Sequence, residues 1–245
     1  MAGFRSYYPV GDLQAGALAS LDAAESRHLT KALRARPGDA VTLFNGTGAA
    51  WEGVLESTGR ETTVRIESLL DIPSPQAQVT LAVAMLKGKA MDAVIKAAVE
   101  LGAWQVVPLE TAHTEVRLSG ERAEGKREHW QTVANEAMKQ SGNLAGLAVQ
   151  SPQPLEKWLV GEYAFGARLV ASLEPDAAPI LRCVPPGAKS VVILIGPEGD
   201  FSPSEYAAIA GAGYTPASLG PHVLRAETAC ASALSAVLAH LAVGQ

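Results

Sequence analysis

Two glycine-bearing loops in the last third of the chain carry the residues best suited to chemistry. The first, Gly196–Gly199, interrupts the aliphatic run Val191–Ile195, which is typical of a buried central strand. Ser202 and Glu205 then have the spacing of a helix capping box, with Pro203 at the first helical position. Such a stretch gathers amide donors at the end of a strand, where open α/β sheets bind ligands. The pattern predicts a ligand site, although an ordinary tight turn between a strand and a helix has the same signature.

The second loop lies in the segment ASLGPHVLRAETA, residues 217–229, which again passes from a strand through a glycine turn to a helix start. If both strands belong to one parallel sheet, the two loops meet at the same edge and form one pocket. The sequence contains no P-loop, no complete dinucleotide-binding fingerprint and no GxSxG nucleophile motif. The five histidines lack the spacing of metal ligands, so no metal site is expected.

The composition excludes several classes of protein. A chain of 245 residues, 48% of them hydrophobic, can bury a large core in one or two domains. Its net charge of −5 argues against coating nucleic acid with the whole surface, but permits a local basic face. Two cysteines without metal or CxxC spacing indicate a reduced intracellular protein. Because no apolar run is long enough for a signal peptide or a membrane span, we expect a soluble, cytoplasmic protein.

The elements that must position the two loops fall into two predicted domains. Residues 1–70 are predicted to form a small β-rich unit, with strands at Ala40–Phe44, Ala50–Glu56 and Thr62–Leu69. The proline-rich segment 71–78 is a predicted linker. Residues 79–245 alternate between strands and helices, which predicts an α/β domain with a parallel sheet covered on both faces. Its predicted strands are Val79–Met85, Trp104–Leu109, Tyr163–Leu173, Val191–Ile195 and Tyr214–Leu219, and its main helices are Lys89–Leu101, Lys126–Ser141 and Arg225–Leu241.

One helix of the first domain has a basic face. Asp22 and Glu25 have capping-box spacing, and the predicted helix continues towards residue 37. Arg27, Lys31 and Arg34 then share one face, since they lie at positions i, i+4 and i+7. These cations either contact RNA phosphates or form an ordinary solvated surface, and charge alone favours the solvated surface.

Taken together, IGPEGDFSPSE and LGPHVLRAETA strongly resemble the RsmE family of SPOUT-class RNA methyltransferases. The similarity extends over nearly the whole chain and includes RSYYP, RHLTKALRARPGD, LFNGTG, KGKAMDAVIKAAVELG and NEAMKQSGN. The resemblance implies S-adenosylmethionine-dependent N3-methylation of a uridine in small-subunit (16S) ribosomal RNA. It also implies an amino-terminal PUA-like β-barrel that holds RNA, a SPOUT-type trefoil-knotted methyltransferase domain, and an active site at a homodimer interface.

The resemblance also implies roles for individual residues. The two loops, with Leu173 as a third wall, would bind the cofactor through Leu173, Ile195, Gly196, Pro197, Glu198, Gly199, Leu219, Gly220, Leu224, Arg225 and Thr228. The residues expected to bind RNA are Arg5, Arg27, Lys31, Arg34, Lys87, Lys89 and Gln140.

Arg225 is the expected catalytic residue, because N3-methylation of uracil develops negative charge that a nearby cation stabilises. Its alternative role is an ion pair with Glu198 or Glu227 that holds the loop in shape. Glu198 in turn either accepts the N3 proton or fixes the glycine loop through backbone amides. Glu136 lies on the same helix face as Gln140 and is the weaker candidate of that pair for contact with the target nucleotide.

Three places depart from the family pattern, and each lacks a cation that relatives usually carry. They are Ala112-His113 in place of Glu-Arg, Asn143 in place of Arg, and His222 in place of Arg. The cofactor loops are intact, so the predicted activity stands while the RNA contacts are less defined. Methylation of another RNA position by the same class of enzyme, or RNA binding without catalysis, remains an alternative.

Overall fold

The computed structural model describes residues 3–59 and 61–243, which group into two compact units. The first contains Met1–Ser74 and Asn135–Gly146, and the second contains Pro75–Ala134 and Leu147–Gln245. The outer ends of the two predicted domains, residues 1–2 and 244–245, lie outside the described residues. Residues 135–146 group with the first unit, whereas the sequence placed them in the second domain. Apart from this segment, the domain boundaries at residues 70 and 79 and the linker 71–78 remain predictions.

The first unit is built on a five-stranded sheet, as expected for a β-rich domain. Its strand order is β1-β3-β4-β5-β2, with β1 parallel to β3 and the other pairs antiparallel. Leu29, Leu43, Trp51 and Leu55 are among the side chains in its core. The sequence missed β1 and β2, because four-residue strands carry too little alternation to stand out. The strands are β1 Phe4–Tyr7, β2 Leu18–Leu21, β3 Ala40–Phe44, β4 Ala50–Ser57 and β5 Thr62–Leu70.

The helix of the first unit is shorter and less regular than predicted. Helix α1, Ala23–Arg27, continues as a π-helical turn, His28–Ala32. The next residue but one, Arg34, has a positive φ of 58°, so it has left the helix. The prediction that Arg34 shares an α-helical face with Arg27 and Lys31 is therefore wrong, because the wider turn and the early helix end change the spacing.

The predicted capping box at the start of α1 is only half formed. The Asp22 carboxylate accepts from the backbone N–H groups of Ala24 and Glu25, both at 2.8 Å. The Glu25 carboxylate does not reach back to Asp22. It is buried instead, and accepts hydrogen bonds from the Ser6 hydroxyl and from the Tyr7 backbone N–H.

The buried partner of Glu25 is Lys139, which comes from the distant segment 135–146. The Lys139 ammonium lies 2.7 Å from Glu25 Oε1 and also pairs with Glu136. Burial opposes the charge on Lys139, but the hydrogen bonds to Glu136 and Glu25 outweigh it, so the pKa of Lys139 is raised. Arg5 adds a second tie, because its guanidinium donates to the Lys139 carbonyl at 2.9 Å. These contacts explain why residues 135–146 belong with the first unit.

The second unit contains the predicted parallel sheet. Its strand order is β11-β13-β10-β12-β6-β7-β8, with β9 also paired to β7, and every pair is parallel. Strand β10 is much shorter than the predicted Tyr163–Leu173, because Tyr163 stacks on Trp158 and does not enter the sheet. The strands are β6 Gln78–Ala84, β7 Gln105–Glu110, β8 Ala148–Val149, β9 Gln153–Pro154, β10 Ala167–Ala171, β11 Ala178–Pro179, β12 Ser190–Ile195 and β13 Thr215–Ser218.

Helices cover both faces of this sheet, which confirms the α/β class. Val192 and Leu194 of β12 pack in one core with α4 and α6. Alternate residues of a strand point to opposite faces, and α2 and α7 pack together on the other face against β6. The trefoil knot implied by the resemblance stays a prediction. The helices are α2 Lys89–Leu101, α3 Glu121–Ser141, α4 Leu155–Leu159, α5 Ile180–Cys183, α6 Pro203–Gly211 and α7 Ala226–Val243.

We expect Lys139→Met to destabilise the protein by about 3–5 kcal/mol, because it leaves the Glu25 carboxylate buried without its cation. Urea unfolding measures the difference. Lys126→Met, at an exposed position of the same helix, should change the free energy of unfolding by less than about 0.5 kcal/mol. Adding Glu25→Gln to Lys139→Met should restore part of the loss, and equal stability of the two lysine variants would contradict the assignment.

Candidate active site

A cavity of about 320 Å³ opens at the carboxyl ends of three neighbouring strands, β13, β10 and β12. This is the edge where the sequence predicted that the two glycine loops would meet, and the size suits a small-molecule site. The ends of the three strands, the loops that follow them and the starts of two helices, α6 and α7, form the walls. The lining residues are Ala171, Ser172 and Leu173 at the end of β10; Ile195, Gly196, Pro197, Glu198, Asp200 and Tyr206 at and after the end of β12; and Leu219, Gly220, His222, Val223, Leu224, Arg225, Ala226 and Ala229 after β13.

The loop after β12 has the local structure that its sequence predicts. Ser202 caps α6, accepting from the Glu205 N–H at 3.3 Å, while Glu205 Oε2 accepts from the Ser202 N–H at 2.8 Å. Pro203 is the first residue of the helix. At Gly196, an added Cβ would stand 3.1 Å from the ring of Phe201, so the absence of a side chain lets the loop close over that ring.

The second oxygen of Glu205 ties this loop to the segment that follows β7. Glu205 Oε1 accepts from the Ala112 backbone N–H at 2.7 Å, and the Glu205 side chain is only 6% exposed. A buried carboxylate that accepts from two backbone amides is strongly held, since its oxygens would otherwise be buried without donors. Glu205 therefore fixes the position of the cavity loop relative to the sheet, beyond capping its own helix.

Asp200 is held in the cavity through both its backbone and its side chain. It has a positive φ of 59°, and its carbonyl lies 2.8 Å from Nδ1 of His113. Its Oδ1 accepts from the Phe201 N–H and from the Tyr206 hydroxyl, both at 2.8 Å. Burial, reinforced by Asp200, raises the pKa of Tyr206 far above its usual value, so the phenol stays a hydrogen-bond donor.

Arg225 lines the cavity from the loop that follows β13. It precedes α7, and its carbonyl accepts the first hydrogen bond of that helix, from the Ala229 N–H at 2.8 Å. Among residues 3–59 and 61–243, neither Glu198 nor Glu227 forms a salt bridge with it. Arg225 is an exposed residue of the cavity lining, so a ligand can reach it.

Most of the residues predicted to bind the cofactor line the cavity. Two do not. Gly199 lies against His113: a Cβ added to Gly199 would be 3.2 Å from the Cβ of His113. Thr228 is exposed on the first turn of α7. The predicted residues that do line the cavity are Leu173, Ile195, Gly196, Pro197, Glu198, Leu219, Gly220, Leu224 and Arg225.

The sequence missed several lining residues, among which Asp200 and Tyr206 are the most polar. Their signal was available in part, because Tyr206 lies in the first turn of a helix whose start was recognised. Side chains of a helix lean towards its N-terminus, so a large residue there reaches back over the preceding loop. The other lining positions that the sequence did not single out for the cofactor are Ala171, Ser172, His222, Val223, Ala226 and Ala229.

The predicted RNA-binding residues divide between the two units. In the first unit, Arg27, Lys31, Arg34 and Gln140 are exposed, while Arg5 donates to a backbone carbonyl. In the second unit, Lys89 is exposed at the start of α2 and Lys87 is paired with Glu115.

The three departures from the family pattern have local contacts. His113 holds the carbonyl of Asp200, as described above. Asn143 accepts from the Ala145 N–H at 3.2 Å, and His222 lines the cavity. In the described parts of the chain, no cluster of His, Cys, Asp or Glu could hold a metal ion, and no helix is long and apolar enough to cross a membrane.

The sequence matches two family models. One, described as an RNA methyltransferase domain, covers residues 73–238, and the other, described as an RNA methyltransferase PUA domain, covers residues 21–67. The chain is 31% identical over 226 residues to Ribosomal RNA small subunit methyltransferase E of Mycobacterium bovis, a match that covers 91% of this chain and 86% of the relative.

Two solved structures share the fold over almost the full length. A Legionella pneumophila protein in complex with the cofactor SAM has a TM-score of 0.88 and 32% identity, and the match covers 97% of both chains. The Ribosomal RNA small subunit methyltransferase E of Neisseria gonorrhoeae, bound to S-adenosyl methionine, has a TM-score of 0.88 and 25% identity. That match covers 97% of this chain and 98% of the neighbour.

Proposed function

We propose that this chain, which belongs to the ribosomal RNA small subunit methyltransferase E family, methylates N3 of a uridine in small-subunit ribosomal RNA with S-adenosylmethionine as the donor. The observation that carries the proposal is the cavity formed by both glycine loops and the end of β10. We place the protein in the cytoplasm, where such RNA is found.

The cavity suits S-adenosylmethionine in size and in the character of its walls. Its apolar side chains, such as Ile195, Leu219 and Leu224, offer contact surface to a purine ring, while loop amides supply hydrogen-bond donors. Gly196 and Gly220 let the backbone come close to a ligand. When bound, the cofactor supplies a methyl group on a positively charged sulfur, which is already activated for transfer.

Arg225 is the residue that we assign to catalysis. The N3 proton of uracil must leave for N3 to become a nucleophile, and negative charge then develops on the ring. Two observations support this assignment: Arg225 lines the cavity, and its guanidinium has no described ion pair, so its charge is available to stabilise a developing anion. Glu198 also lines the cavity, and no described backbone amide donates to its carboxylate, so we assign it to accepting the proton rather than to bracing the loop.

The first unit is proposed to hold the RNA. Arg27, Lys31 and Arg34 are exposed there and lie close together in sequence, and Gln140 is exposed at the end of α3. Sequence-independent contacts of cations with phosphates are the usual source of RNA affinity. In the second unit, Lys89 adds an exposed cation near the end of β6.

We also propose that the protein acts as a homodimer. Two large apolar side chains at the cavity, Leu173 and Val223, are 58% and 78% exposed, which suits coverage by a second chain. Helix α7 offers no such surface through Ala229, Cys230 and Ala233, because these small residues are buried within the chain. Light scattering should give twice the mass of one chain, and a fully active monomer would contradict the proposal.

The direct test of the activity is nucleoside analysis after incubation with S-adenosylmethionine and unmodified small ribosomal subunits. We expect 3-methyluridine to appear in the small-subunit RNA. A methyl group on a ribose or on another base would replace the assigned reaction. No methylation by a protein that binds both ligands would favour RNA binding without catalysis.

We expect Arg225→Ala to slow single-turnover methylation by about 10²–10³-fold while leaving cofactor affinity nearly unchanged. Arg225→Lys should recover part of the rate, since it keeps the charge but loses the planar fork. Arg182→Ala, at an exposed position of α5 outside the cavity, is the matched control. If excess cofactor restores turnover of both Arg225 variants, the arginine braces the loop and is not catalytic.

Replacing Arg27, Lys31 and Arg34 together by alanine should weaken RNA binding and reduce the slope of log K against log salt by about two, because three phosphate contacts are lost. Cofactor affinity should not change. The control removes the same charge from the second unit through Lys96, Lys157 and Arg182, all of them exposed. Equal salt slopes for the two variants would show that Arg27, Lys31 and Arg34 form an ordinary solvated surface.

A further inference from the structure

The cavity contains a fixed carboxylate that the reaction described above does not use, that of Asp200. We propose that Asp200 makes the pocket prefer S-adenosylmethionine, with its positively charged sulfur, over the product S-adenosylhomocysteine, whose sulfur is neutral. The inference rests on the proposed function, because it assumes that this cavity holds the cofactor.

The Asp200 carboxylate cannot easily turn away from the cavity. Its Oδ1 is held by two donors, the Phe201 N–H and the Tyr206 hydroxyl, and Tyr206 itself lines the cavity. The backbone is held independently, because His113 Nδ1 lies 2.8 Å from the Asp200 carbonyl. No described residue donates to Oδ2, so this oxygen has no protein partner that would neutralise it.

The backbone conformation indicates that the side chain has a use of its own. With a φ of 59°, Asp200 adopts the left-handed region that glycine enters without strain. Aspartate and asparagine tolerate this region better than most residues, but they still pay a steric cost there. A glycine would make the same turn, so the turn alone does not account for a carboxylate at the cavity wall.

The chemistry of methyl transfer changes the charge that this carboxylate meets. The N3 lone pair forms the new N–CH₃ bond, the electrons of the broken S–CH₃ bond stay on sulfur, and the N3 proton leaves to a base. The sulfur therefore loses its positive charge, whereas the ammonium and carboxylate of the cofactor are the same before and after. A negative group near the sulfur stabilises the donor and not the product.

Other charged groups face the same space. Glu198 lies on the same loop as Asp200, while Arg225 and His222 lie on the loop that follows β13. Substitution of Asp200 leaves all three in place, so a change in preference reports on Asp200 itself. Because Asp200 is exposed, solvent screens its charge, and we expect an effect of about three- to tenfold rather than several orders of magnitude.

The test compares the affinities of S-adenosylmethionine and S-adenosylhomocysteine by calorimetry for wild type and Asp200→Asn. Asparagine keeps an oxygen for Phe201 and Tyr206 and tolerates the positive φ, so the substitution removes mainly the charge. We expect S-adenosylmethionine affinity to fall about three- to tenfold and S-adenosylhomocysteine affinity to change less than about twofold. Glu162→Gln, which removes one exposed negative charge outside the cavity, should leave both affinities unchanged.

A second variant separates charge from bracing. Tyr206→Phe removes one hydrogen bond to Asp200 but keeps its charge, so the ratio of the two affinities should stay within about twofold of wild type. An equal fall for both ligands in Asp200→Asn, no fall for either, or the same loss of preference in Tyr206→Phe would overturn the inference. Failure of the wild type to bind S-adenosylmethionine would instead overturn the proposed function on which the inference rests.

Discussion

The cavity depends on one carboxylate that serves two parts of the second unit. Glu205 caps its own helix through Ser202 and, with its other oxygen, holds the amide of Ala112 after β7. Parallel strands place the loops at one edge of the sheet, but they do not set the shape of those loops. Glu205 does so for the loop after β12. The neighbouring contact of His113 with the Asp200 carbonyl acts on the same loop, so two ties fix one wall of the cavity.

Glu25 shows what a local pattern does not contain. It has the same three-residue spacing from Asp22 that Glu205 has from Ser202, and the sequence predicted a capping box for both. At Ser202 the box forms in full. At Asp22, the glutamate turns to Lys139, which lies 114 residues away. The spacing rule takes into account only the hydrogen-bond partners that lie nearby in the sequence. A buried lysine from a distant segment is a stronger partner for the Glu25 carboxylate than the backbone amide of Asp22.

The parts of the site that could be predicted are those whose contacts are made between residues close in sequence. Val191–Ile195 and the two glycine loops are specified by neighbours in sequence, so both the strand and the meeting of the loops were predicted. Asp200 and Tyr206 meet through a hydrogen bond across the start of α6, and no periodicity reports it. The sequence marked His113 only as a position where relatives carry an arginine. Its contact with Asp200 was not predicted, because the two residues lie 87 positions apart. The identity of the ligand came from the resemblance, because a glycine turn alone is compatible with many ligands.

The placement of Lys139 in the first unit has a consequence for synthesis of the chain. The carboxylate of Glu25 is made 114 residues before the ammonium that neutralises it. At about 5–20 residues per second, the ribosome needs on the order of ten seconds to cover that distance. During this interval the first unit lacks both its buried cation and the segment 135–146, so it cannot reach its final state as an independent amino-terminal domain would. Completion of the first unit therefore waits for translation of more than half of the protein.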